Sequence, residues 1–148
     1  MSNDSPTKLL ERGVAELAAV LGPAGFEFIQ SDEGTDSGGP FASGEFLKGD
    51  RRLELHVRSS LAGVRYHFGD ESLSHEDLVR GVGAIEGITA EAEYPGFSSD
   101  AMAGFHHLRH DLDRFGAIFL HRGAKAVREL KKWLNKHPKK SGFAGLGR

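Results

Sequence analysis

At 148 residues, 39% hydrophobic and 27% charged, the chain has the size and composition of one soluble domain with a single core. The lack of cysteine excludes a disulfide, a thiolate nucleophile and Cys-ligated zinc. The net charge of −2 hides a split: residues 122–148 hold nine Lys/Arg and one acid (+8), against ten bases and twenty acids (−10) in residues 1–121.

The opening MSNDSPTKLLERG lacks the basic start and long apolar run of a secretory signal, and no apolar stretch approaches bilayer length. A cytoplasmic location without a membrane span is therefore expected. A first helix is predicted from Thr7 to Leu21, with Leu10, Val14, Leu17 and Leu21 at helical spacing. Ser5 serves as its N-cap, Pro6 suits the first turn, and Gly22-Pro23 stops it. FEFIQ (Phe26 to Gln30) reads as a short strand and SDEGTDSGGP as a mobile polar loop.

ASGEFLK, RRLELHVRSSL and VRYHF then read as an antiparallel meander. A two-residue Gly49-Asp50 turn of type II′ pairs Phe46 with Leu53, Gly44 with Leu55 and Ala42 with Val57. A second turn at Ala62-Gly63 pairs Leu61 with Val64, Ser59 with Tyr66, and Val57 with Phe68. In this register the apolar residues share one face. The other face carries Ser43, Glu45, Arg52, Glu54, His56, Arg58, Arg65 and His67, with Arg58 opposite His67.

In SLSHED, Ser74 and Asp77 form a capping-box-like pair opening a short helix that Gly81 and Gly83 weaken and end. A turn at Tyr94-Pro95-Gly96 leads to a long helix from about Asp100 to Leu120. A last helix, KAVRELKKWLNKH, stops before Pro138. The tail KKSGFAGLGR reads as disordered.

The stretch FHHLRHDLDRF concentrates histidine and aspartate. At about 100° per residue, Phe105, Leu108, Leu112, Phe115 and Phe119 form the core stripe. His106, His110 and Asp113 lie roughly opposite, flanked by His107, Asp111 and Arg114. His106 and His110 are an i,i+4 pair able to chelate a divalent metal, with Asp113 as third ligand. In the HExxH comparison, however, His107 stands where the general base would be. The alternative is a solvated helix face. His56 and His67 are expected on the far side of the core from His106 and His110, so the two groups cannot build one site.

Two further surfaces qualify. On the polar sheet face, Arg52, Glu54, His56, Arg58, Arg65 and His67 suit an anion or acidic partner, or are plain solvated ion pairs. In the tail, Lys125, Arg128, Lys132 and Lys136 surround the apolar stripe Val127, Leu130 and Leu134, with Trp133 beside it. That helix either touches a membrane or nucleic acid, or docks its stripe on the domain. GxSxG, P-loop and GxGxxG motifs are absent. Capping explains Ser74 and Asp77 without catalysis.

FASGEFLKGDRRLELHVRSSLAGVRYHFGDESLSHEDLVRGVG, continued by YPGF and FHHLRHDLDRFG, resembles a set of short, uncharacterised bacterial α+β proteins over residues 41–116. In architecture the chain is similar to small immunity proteins of bacterial toxin systems. That set has no established activity, so the resemblance assigns no residue a role. The expectation of a protein partner rests on the acidic body, the polar sheet face and the absence of a catalytic motif.

The expected architecture is α+β: an N-terminal helix, an antiparallel meander of about four strands, and C-terminal helices on one sheet face. Residues 1–121 are expected to form the domain, and 122–148 a basic amphipathic helix with a flexible tail. The expected function is non-enzymatic intracellular protein binding without a cofactor. A metal-dependent hydrolase on His106, His110 and Asp113, helped by His107, and nucleic-acid binding through the tail are the alternatives.

Overall fold

A computed structural model of the chain describes residues 5–89, 91–94 and 100–138. Ser5 Oγ accepts the Lys8 N–H at 3.2 Å, and Pro6 opens α1 (Pro6–Leu21), as the capping pattern requires. Leu9, Leu10, Leu17 and Leu21 are buried along one side of α1. Gly13, on the same side, leaves room for the Phe105 ring.

Five strands follow in chain order as one antiparallel sheet: β1 (Glu27–Asp36), β2 (Gly39–Lys48), β3 (Arg51–Val57), β4 (Leu61–Phe68) and β5 (Glu71–Ser74). The first meander turn has the predicted register, with Phe46 opposite Leu53, Gly44 opposite Leu55 and Ala42 opposite Val57. Gly49 takes a φ of 58°, the left-handed conformation a type II′ turn needs at its first central residue.

Two strand expectations are corrected. SDEGTDSGGP is not a loop: β1 runs on to Asp36, pairs with β2 as far as Gly39, and is bulged between Gln30 and Asp32. Both sides of this outer hairpin are largely wet, so no apolar alternation marks it. Backbone pairing and the Asp36 carboxylate, which accepts the Gly38 N–H at 2.8 Å, hold it together.

The β3–β4 connection is not at Ala62-Gly63 either. Leu53 lies opposite Tyr66, Leu55 opposite Val64 and Val57 opposite Leu61, with a bulge after His56. His67 consequently faces Arg52, not Arg58. Tyr66 and Phe68 are displaced by an even number of residues from their expected partners, so their faces are unchanged.

Leu53, Leu55, Val57, Leu61, Tyr66 and Phe68 all point into the core. Burying a side chain of this size contributes about 1.5–3 kcal/mol. The helices cover that face. Ser74 Oγ accepts the Asp77 N–H at 3.1 Å and opens α2 (His75–Glu86). Gly81 and Gly83 do not end this helix, which runs through both to Gly87, where φ is 70°. A Cβ on Gly81 would lie 2.3 Å from Leu130 Cδ1, so this glycine provides a packing seat for the last helix.

The long helix expected from Asp100 to Leu120 is two. Gly116 separates α3 (Ala103–Phe115) from α4 (Ala117–Leu120), and Ile118, Phe119 and Leu120 of α4 are all buried. The hairpin end caps these carbonyls. Arg51 Nη1 donates to Ile118 O at 2.9 Å and Phe119 O at 2.7 Å, Arg51 Nη2 to Arg122 O, and Lys48 Nζ to Leu120 O at 3.0 Å. α5 (Ala124–Lys136) buries Val127, Leu130 and Leu134. Its apolar stripe is docked, and the common core extends into it. The Tyr94-Pro95-Gly96 turn extends beyond the described residues, and the 139–148 tail lies wholly outside them. No helix among the described residues is long and apolar enough to cross a membrane.

Candidate functional site

Because the strands alternate in side-chain direction, burying Leu53, Leu55 and Val57 puts Arg52, Glu54 and His56 on the outer face of the sheet. That face is internally paired. Arg52 bridges to Glu45. His67 Nε2 lies 2.8 Å from a Glu54 carboxylate oxygen, and Ser43 Oγ lies 2.7 Å from His56 Nδ1.

Arg58 donates to Asp36 Oδ2 at 2.9 Å and to Gly39 O at 3.0 Å. The guanidinium bond and the Gly38 N–H hold the Asp36 carboxyl below the usual aspartate value, and the carboxylate raises Arg58 in turn. The anchored guanidinium sits over Phe41, 5.7 Å from its centroid. Phe41 stacks on His56 with centroids 5.4 Å apart.

The result is a fixed Arg58–Phe41–His56 stack. Beside it, Glu54, His56, Gly63, Val64 and Arg65 line a hollow. Sequence reading found Arg52, Glu54, His56, Arg58, Arg65 and His67 on this face. It missed Phe41, which had no assigned strand.

On α3 the proposed metal set separates. His106 and His110 are exposed, but His106 Nδ1 lies 3.1 Å from Glu16 of α1, whereas His110 Nδ1 and His107 Nδ1 each lie 3.4 Å from Glu93. His106, and after it Arg109, hold the Glu16 carboxyl below its ordinary value. Asp113 is exposed at the rim of a hollow lined by Ala19, Val20, Leu112, Ala117 and His121. Among the described residues, no group of three or more His, Asp or Glu side chains is arranged to hold an ion. On α5, Lys125, Arg128, Lys132 and Lys136 are exposed.

Asp111 requires a correction. Expected on the wet flank of α3, it is fully buried. Its Oδ2 accepts from His75 Nε2 at 2.7 Å and from Tyr94 N at 2.9 Å, and its Oδ1 accepts from Glu93 N at 2.8 Å. Burial raises the Asp111 carboxyl, but these donors outweigh it and hold the group below the ordinary aspartate value. The Tyr66 hydroxyl lies 2.7 Å from His75 Nδ1, and burial pushes that phenol well above its ordinary value.

A Tyr–His–Asp chain has the connectivity of a nucleophile–base–orienter triad. Its hydroxyl is fully shielded from solvent and stays protonated, so the chain orients parts of the fold rather than attacking a substrate. It joins β4, α2, α3 and the segment at Glu93–Tyr94. On the helical wheel Asp111 borders the core stripe beside Phe115, and a buried tyrosine hydroxyl needs a partner. Those were the available signals. Comparison of the chain with protein-family models, curated proteins and solved structures finds no match.

Proposed function

We propose that the protein is a non-enzymatic binding module whose outer sheet face receives another protein. The supporting observation is the Arg58–Phe41–His56 stack beside that hollow. Arginine and aromatic side chains held in fixed rotamers are the groups that anchor protein interfaces, because little conformational entropy remains to be lost on binding. Ile29, 54% exposed, lies opposite Glu45 and adds apolar area to the same face. Arg65 and Glu54, which face each other across the strands, line the hollow with His56 and offer a partner both a cation and a carboxylate.

The more specific proposal is an immunity-type role, in which the partner is a bacterial toxin. It rests on small size and α+β architecture, which is analogy. The test is growth rescue. The wild-type chain, co-expressed with the toxic product of a neighbouring gene, should restore growth and co-purify with that product. Phe41→Ala/Arg65→Glu should lose both effects while remaining folded. A folded variant that rescues fully would exclude the outer face, and failure of the wild type with every neighbouring product would exclude the immunity role.

A further inference from the structure

We infer that the exposed side of α5 is a docking strip for the phosphodiester backbone of a nucleic acid, separate from the outer sheet face. Lys125, Arg128, Lys132 and Lys136 succeed one another at steps of three or four residues, which places them in one row along the helix. At about 1.5 Å rise per residue the row is roughly 16 Å long. Double-stranded nucleic acid carries one phosphate charge per about 1.7 Å of its axis, a linear charge density that a straight row of four cations complements.

Among the described residues, none of these four has a carboxylate at ion-pair distance. The nearby acids are Glu129 on the same helix and Glu71 of β5, which is 3.3 Å from Lys131. Glu71, Val127, Lys131 and Asn135 join Arg128, Lys132 and Lys136 around a groove.

The structure argues against a lipid surface as the occupant. A membrane-binding amphipathic helix inserts its apolar side, but here Val127, Leu130 and Leu134 are buried. Leu130 occupies the seat left by Gly81. Trp133 is also engaged, 4.4 Å from the His137 ring and 5.3 Å from the Arg80 guanidinium. Only charge is left for the partner, and a straight row of charge suits a linear polyanion better than a single phosphate.

The test is fluorescence anisotropy of the full chain with labelled mixed-sequence duplex DNA and single-stranded RNA, from about 50 to 200 mM salt. Binding should weaken with salt, with a log–log slope of about −3 to −4. Lys132→Gln/Lys136→Gln, which keeps helix propensity, should cut the slope by about 2 and weaken low-salt binding about 10-fold or more. Lys8→Gln on α1 should leave the slope unchanged. Glu71→Gln should steepen it by freeing Lys131.

Several outcomes would overturn the inference: no binding at low salt, a slope unmoved by the double variant, or tighter binding to anionic vesicles or polyglutamate than to either nucleic acid. Salt-reversible self-association without nucleic-acid binding would also do so, and would assign the strip to acidic surfaces of a second copy. None of these readouts depends on the sheet face, so this inference and the proposed function fail independently.

Discussion

His75 Nε2 and Asp111 Oδ2 lie 2.7 Å apart, between the first residue of α2 and the third turn of α3, with neither side chain open to solvent. A carboxylate oxygen can only accept, so the proton sits on Nε2 and Nδ1 is directed at the Tyr66 hydroxyl. Asp111→Asn exchanges a charge-assisted bond for a neutral one in a buried network, at an expected cost of about 2–4 kcal/mol. Tyr66→Phe should cost about 1–2 kcal/mol, because the ring still packs on Phe119, 5.0 Å away. Urea unfolding checks both; a loss below about 0.5 kcal/mol for Asp111→Asn would remove the network from the account of stability.

The same pair sets an acid dependence. The Asp111 carboxyl titrates lower in the folded chain than in the unfolded one, where the reference is about 3.9. Its contribution is therefore complete above the unfolded value and is lost as pH falls through the folded value. Stability measured against pH should decline more gently on the acid side for Asp111→Asn than for the wild type. Glu16 and Asp36, which are depressed in the same direction, add to the decline that remains.

Gly13 tests the α1–α3 contact. A Cβ there would lie 2.1 Å from Phe105 Cε1. Alanine improves helix propensity by about 1 kcal/mol, yet overpacking against a buried ring costs about 1–3 kcal/mol. Gly13→Ala should be a net loss by thermal unfolding, and Phe105→Leu in the same chain should recover part of it. A stabilised Gly13→Ala would mean that this contact is looser than described.

Docking of α5 can be followed through Trp133, the chain's single tryptophan. Leu130→Ala should cost about 2–5 kcal/mol and shift Trp133 emission to longer wavelength as its contacts loosen. Removal of an outer-face ion pair should behave differently. Arg52→Ala is expected to change stability by about 0–1 kcal/mol, because Arg52 is 43% exposed. A loss comparable to that of Leu130→Ala would show that this face supports the fold.

The Gly49-Asp50 turn and the Phe105–Phe119 stripe were legible because each joins a period to a local signal. A turn residue with positive φ fixes one register, and a recurring apolar spacing fixes one helix face. The β3–β4 register was not legible. Leu53, Leu55 and Val57 alternate evenly, and an even displacement leaves every inward residue inward. The outer half of β1 was hidden for a related reason, since a strand wet on both sides has no hydrophobic period. Asp111 was misplaced because its donors, Glu93 and Tyr94, come from a segment without a pattern of its own. At the candidate site, parity alone identified the outer-face charges, whereas the Phe41 stack depended on finding the rest of the hairpin.

Lys48 and Arg51 reach carbonyls that lie 67 to 72 residues further along the chain. An early hairpin is thereby fastened to a late helix end, so neither half has a complete set of partners until both are present. Removing the segment that follows Gly116 would open one side of the core and strand two cations at the hairpin tip. The fold is closed in the manner of a clasp, and its beginning and end are expected to melt in a single step.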